Sequence, residues 1–168
     1  GKPLRARLAY SCGSSLGLSL NQLDPLATAI ELAHTYSLLH DDLPCMDDDN
    51  FRRHRPSHHK AYPQAASVLT GDALQAEAIS ILARTKVVPE QKKISIIQFF
   101  SQTLGSEKLI QGQWLDLFSI PNSLEDVQYI HLRKTADLFS FAIGATFILK
   151  SSQPQSLEIG SQLGQLLG

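Results

Sequence analysis

Residues 24–49, DPLATAIELAHTYSLLHDDLPCMDDD, decide how this chain folds. Asp24-Pro25 has the form of a helix N-cap followed by proline at the first helical position. From there Leu26, Ile30, Ala33, Ser37 and His40 recur at three- and four-residue steps, which predicts one helix running to about Asp42. Pro44 disfavours helical geometry at Leu43 and ends it. Asp41 and Asp42 therefore fall in the last turn, where the helix dipole is already negative. Asp47, Asp48 and Asp49 follow beyond the proline. About seven residues return to nearly the same helix face, so His34 lies two turns below Asp41 with Ser37 between them.

Working outward, Cys45 to Tyr62 reads as an irregular polar segment dense in Asp, Arg and His. A second helix is expected from Pro63 to Arg84. A third opens at Pro89, carries Ile94, Ile97, Phe100, Leu104 and Ile110, and runs to about Leu117, with Gly105 and Gly112 as weak points. Ser123-Leu124-Glu125-Asp126 resembles a capping box with Asp in place of Glu and starts a fourth helix to about Leu149. Ser151-Ser152-Gln153-Pro154 breaks the pattern, and a last helix begins near Gln155. No segment sustains period-two alternation, so strands are not expected. The reading is one all-α domain of long helices.

Composition narrows the function classes. With 168 residues, 43% of them hydrophobic, the chain can bury a real core. Fifteen Lys+Arg against sixteen Asp+Glu leave a net charge of −1, so no global field points to nucleic acid or an anionic membrane. Cys12 and Cys45 form neither a disulfide framework nor a zinc spacing and fit a reducing, cytoplasmic compartment. No apolar run approaches the ~20 residues of a membrane span, and residues 1–5 have no apolar core of a signal peptide.

The acids need a positive partner. Hard divalent cations with oxygen ligands are the natural candidates, and Mg²⁺ takes one or two carboxylates plus water and phosphate oxygens. A calcium loop of the EF-hand type needs Gly at its sixth position, which counted from Asp47 is Arg52. A solvated acidic loop is the plainer alternative. Arg52 and Arg53 follow the acids directly, and guanidinium forks suit phosphate oxygens. Acids for Mg²⁺ beside an arginine pair suit a diphosphate ester. A lone histidine on an apolar helix is more often a core residue, but the alignment of His34 with Asp41 favours a ligand contact. Lys2 and Arg5 form a second basic pair and Lys134-Thr135 a third basic element, each unremarkable by itself.

Together these motifs resemble the short-chain trans-isoprenyl diphosphate synthases, bacterial farnesyl diphosphate synthases in particular. Asp41 to Asp47 matches the family's first aspartate-rich motif, DDxxxxD, and Arg52-Arg53 with Arg55-Pro56-Ser57 resembles RRGxPT. Gly1-Lys2-Pro3-Leu4-Arg5 resembles GKRLR. Gly71-Asp72-Ala73-Leu74 is similar to GDALL, Gln111 to Asp116 to GGQxxD, and Lys134-Thr135 to the KT pair. The resemblance implies an isoprenoid synthase bundle of long, mostly antiparallel helices around a central cavity, and a homodimer. It implies that Asp41, Asp42 and Asp47 hold Mg²⁺ against an allylic diphosphate, with Arg52 and Lys134 on the same group. Lys2, Arg5, His34 and Arg53 would bind isopentenyl diphosphate, while Thr135 and Gln113 would line the space where the allylic cation forms. Tyr36 and Ser37, five and four positions before Asp41, would shape the floor of the tail pocket and favour a farnesyl product. Helix arithmetic supports Ser37 more directly, since Tyr36 falls roughly 140° around from Asp41.

Three positions depart from the family pattern: Pro3 replaces Arg, His54 replaces Gly and Ser57 replaces Thr. The resemblance also implies a helix before Gly1 and a second aspartate-rich motif, FQxxDDxxD, beyond Gly168. Residues 1–168 would thus be one incomplete domain, without turnover by itself. A non-catalytic subunit would have no need of Asp41, Asp42 and Asp47. A class I terpene cyclase would have no need of a second diphosphate site at Lys2, Arg5 and His34. A helical scaffold with incidental acids would bind diphosphate without Mg²⁺.

Overall fold

The computed structural model describes residues 3–151 and 154–168. Its helices are α1 (Leu4–Ser15), α2 (Leu20–Asp41), the short α3 (His58–Ala61), α4 (Gln64–Arg84), α5 (Glu90–Leu104), α6 (Leu109–Phe118), α7 (Leu124–His131), α8 (Asp137–Lys150) and α9 (Pro154–Leu167). A single π-helical turn, Leu132–Ala136, joins α7 to α8. Among the described residues the regular structure is helical apart from one small hairpin, β1 (Phe51–Arg52) against β2 (Arg55–Pro56).

α2 and α8 form the core. α8 reads DLFSFAIGATFILK and is buried almost all round, as expected of a helix enclosed by others. It packs on α1, α5 and α9, while α2 packs on α1, α4 and α8. Phe141 of α8 lies against Phe99 and Phe100 of α5, with ring centroids 5.3 and 4.9 Å apart. Phe100 and Phe141 are fully buried, each contributing about 1.5–3 kcal/mol by removal from water. α9 comes so close to α8 that a Cβ on Gly164 would meet Ser140 Cα at 2.4 Å. No helix among the described residues is long and apolar enough to cross a membrane.

The expected helix starts at Pro63, at Ser123 and near Gln155 hold, and the run from Ser123 reaches Lys150 with the π turn inside it. Ser123 Oγ accepts from Asp126 N–H at 3.1 Å, and Asp126 reaches back to Ser123 N–H at 3.0 Å, which completes the capping box. Three expectations are corrected, and one helix is added. α1 was not read from the pattern; it ends in a Schellman turn, with Leu18 N–H on Gly13 O and Gly17 N–H on Ser14 O, both 2.9 Å, and Gly17 at φ 76°. α2 starts at Ser19 rather than Asp24. Gln22 Oε1 accepts from Ser19 N–H at 3.1 Å and Oγ–H at 3.0 Å, so the better-capped start wins and Pro25 is carried inside the helix. Asp24 instead accepts from Tyr10 Oη at 2.8 Å.

The third expected helix divides at Gly105, whose extended backbone (ψ −177°) separates α5 from α6. The polar segment does contain strands, though only two residues each. Their loop, Arg53-His54, has φ of 54° and 64°, the mirror-image turn that a two-residue hairpin requires. No period-two pattern could have announced so short a ladder.

Candidate functional site

The end of α2 and the turn after it build an acidic lip. Asp47 N–H donates to Asp41 O at 2.9 Å, Met46 N–H to Leu43 O at 2.9 Å and Asp48 N–H to Leu43 O at 3.1 Å. This fold-back is why a carboxylate six residues after Asp41 returns beside it. Asp42 turns inward instead, only 2% exposed, where Arg52 Nε donates to its Oδ1 at 2.8 Å and Nη2 reaches the same oxygen. Arg52 Nη2 also donates to Asp49 at 3.0 Å. The hairpin is thereby pinned to the end of α2, and the Arg52 guanidinium is committed to carboxylates.

α6 and the π turn supply the facing wall. Gln113 Nε2 donates to Asp41 Oδ1. Lys134 Nζ lies 2.5 Å from Asp116 Oδ2, 3.7 Å from Asp41 and 3.8 Å from Asp47. Burial pushes the Asp41 carboxyl above the ordinary carboxylate range; Lys134 and Gln113 oppose that and neighbouring Asp47 adds to it. Burial pulls Lys134 down, but its hydrogen bond to Asp116 and the charges of Asp41 and Asp47 leave it raised.

A second, basic cluster lies two turns back along α2. His34 is lowered from 6.5 to about 4, by burial first and then by Arg5, Arg53 and Arg52. Arg5 stacks 4.5 Å from the Phe139 ring, and among the described residues its buried Nε has no hydrogen-bond partner. Arg53 is exposed at the hairpin loop. Lys2 lies outside the described residues.

Lip and basic cluster share a cavity of about 540 Å³. Arg5, His34, Asp41, Gln113, Lys134 and Thr135 line it, as do Tyr36 and Ser37. Tyr36 is buried, which pushes its phenol up to about 12. Ser37 Oγ donates to His34 O at 3.0 Å. Asp42, Asp47, Arg52 and Arg53 are not among the lining residues. Ile110, Trp114, Leu117 and Phe118 of α6 form the apolar wall, with Trp114 and Phe118 rings 4.5 Å apart.

Sequence reasoning missed three features. Asp116 ends the motif that starts at Gln111 and could have been taken with it. Trp114 and Phe118 are one helical turn apart, a visible spacing, but nothing local says that this face lines a cavity. The π turn under Lys134 and Thr135 left no sequence signal; such turns often occur at functional sites.

The donor set fits Mg²⁺ better than a preformed protein cage. Among the described residues no three His, Cys, Asp or Glu side chains form a metal-holding group. Asp41 and Asp47 are two converging carboxylates, and Asp47 adds to the upward shift of the Asp41 carboxyl. Mg²⁺ needs one or two such groups and takes its remaining ligands from water and phosphate. Asp42 would have to leave Arg52 to join them.

A family model described as polyprenyl synthetase matches residues 1–168. Farnesyl diphosphate synthase of Haemophilus influenzae is 43% identical over 150 residues, which cover 88% of this chain and 51% of that protein. Farnesyl diphosphate synthase of Buchnera aphidicola from Acyrthosiphon pisum is 39% identical, over 93% of this chain and 57% of its own length. The crystal structure of geranyltransferase from Legionella pneumophila superposes with a TM-score of 0.93 at 34% identity, over 99% of this chain and 61% of that one. The chain spans about half the length of the curated relatives it matches.

Proposed function

The chain belongs to the polyprenyl synthetase family, and from that membership we propose that it forms the substrate-gripping part of an isoprenoid prenyltransferase. The enzyme would join dimethylallyl or geranyl diphosphate to isopentenyl diphosphate and release pyrophosphate. The observation that carries this reading is one cavity with a carboxylate lip, Arg5 and His34 at its basic end and an apolar wall from α6.

Asp41 and Asp47 would hold Mg²⁺, which when bound supplies positive charge against the departing diphosphate. Lys134 adds a fixed cation at the same lip, stabilising charge as the allylic C–O bond ionises. Arg5, His34 and Arg53 would hold the second diphosphate, so the two substrates meet in fixed orientation. Gln113 and Thr135 turn polar groups toward the allylic cation. The double bond of isopentenyl diphosphate then attacks that carbon, and pyrophosphate accepts the proton lost as the new double bond forms. The α6 wall keeps out water that would otherwise capture the cation.

Buried Tyr36 beside Ser37 supports a farnesyl product, and the named relatives point the same way. We read the complete enzyme as a cytoplasmic homodimer, with α5 and its exposed Ile94 as a candidate contact. The test is calorimetric titration of a non-hydrolysable dimethylallyl diphosphate analogue into the chain, with Mg²⁺ and with chelator. Binding that needs Mg²⁺ is the expected result. Tight binding indifferent to chelator would remove the metal–diphosphate assignment.

A further inference from the structure

Gly112 lies in α6 immediately before Gln113 and four residues before Asp116. A Cβ there would stand 2.2 Å from Lys134 N, 2.6 Å from the Arg133 carbonyl carbon and 2.7 Å from Lys134 Cα. All three are main-chain atoms, so no side-chain rotation makes room. α6 and the π turn thus meet backbone to backbone, although 22 positions separate Gly112 from Lys134. Three side-chain hydrogen bonds lie around this point. Tyr129 Oη donates to Gln111 at 3.2 Å, Lys134 Nζ to Asp116 at 2.5 Å, and Gln113 Nε2 to Asp41.

We propose that Gly112 is a positioning residue: its contact with the π turn sets the Lys134 ammonium among Asp41, Asp47 and Asp116, and the Gln113 amide against Asp41. The inference rests on the diphosphate-binding reading of that lip. An added methyl must push α6 and the turn apart by most of an ångström. Displacement on that scale breaks a hydrogen bond of ordinary length and degrades the alignment of charge with a bound diphosphate. Gly112 touches no substrate; it acts through Lys134 and Gln113.

The chain carries its own reporter, since Trp114 is its single tryptophan and lines the cavity. Pyrophosphate is titrated into the 168-residue chain by Trp114 fluorescence, with Mg²⁺ and with chelator. In Gly112→Ala the Mg²⁺-dependent affinity should fall about tenfold to a hundredfold, while metal-free binding at Arg5, His34 and Arg53 is unchanged. Gly13→Ala is the control. Its Cβ would crowd the Leu23 side chain at 2.3 Å, away from the cavity, and it should lower the thermal midpoint but not the affinity. In a Lys134→Met background the Gly112→Ala change should cost less affinity than in the wild type, because part of its effect passes through Lys134.

Unchanged Mg²⁺-dependent affinity in Gly112→Ala, full additivity with Lys134→Met, or a Gly112→Ala chain that does not fold would each overturn the inference. The last would make the contact a requirement of the fold alone. A wild-type chain without Mg²⁺-dependent binding would bring down the functional reading and this inference with it. Wild-type binding with an unaffected variant would bring down this inference only.

Discussion

The two charged ends of the cavity are mirror cases. At one end Asp41, Asp47 and Asp116 gather around Lys134, and Asp41 holds its proton above the usual carboxylate range. At the other end burial, with the charges of Arg5, Arg53 and Arg52, lowers His34 to about 4. At each end the fold gathers like charges: Lys134 faces three acids, and among the described residues Arg5 Nε is buried without a hydrogen-bond partner. Perturbation of this kind in a cleft is the physical basis of the proposed assignment, a cation for the first end and an anion for the second. The ends also differ in how firmly they are built. Hydrogen bonds brace the lip from α2, α6 and the π turn, whereas the basic end includes the exposed Arg53 on a two-residue loop.

The strongest attempt to break this symmetry is Asp41→Ala. It should weaken Mg²⁺-dependent diphosphate binding by about 3 kcal/mol, on the order of 100-fold, and leave metal-free anion binding intact by calorimetry. Equal loss at both ends would mean that they are one site. Next, Arg53→Ala should do the reverse and weaken metal-free diphosphate binding about tenfold, the worth of one charged hydrogen bond, with the Mg²⁺-dependent component kept.

A pH series sharpens the basic end further. The unfolded chain protonates His34 near 6.5 and the folded chain only near 4, so the unfolded state binds more protons in that window. The contribution is fully present above 6.5 and is lost as pH falls toward 4. Thermal midpoints of His34→Gln should therefore decline less over pH 6.5 to 4 than those of the wild type; parallel curves would remove His34 from the cluster. The smallest effect concerns the hinge of that end. His54 adopts φ 64°, so His54→Gly should stabilise the chain by about 1 kcal/mol, raising the midpoint roughly 2–4 °C.

The acidic lip was legible because it is local. Asp41, the proline stop at Pro44 and the return at Asp47 lie within one turn of chain, and main-chain hydrogen bonds close that turn. His34 and Ser37 followed from helix periodicity, and both line the cavity. The commitment of Asp42 and Arg52 to one another was not legible, since an adjacent acid pair does not say which member faces inward. The start of α2 was misplaced for a related reason: Asp24-Pro25 and Ser19-Gln22 both look like helix starts, and only the hydrogen bonds formed choose between them.

The sequence by itself determined the helical class, the position of the acids at a helix end and the family, because periodicity, proline stops and motif spacing are properties of the chain in order. Only the tertiary structure decided what stands opposite those acids. Gly112 and Lys134 are far apart in the chain, and their meeting depends on two backbones closing to a distance that no local pattern encodes. The charge at each end of the cavity follows from such meetings, since a pKa moves only when burial and neighbours from several elements act together.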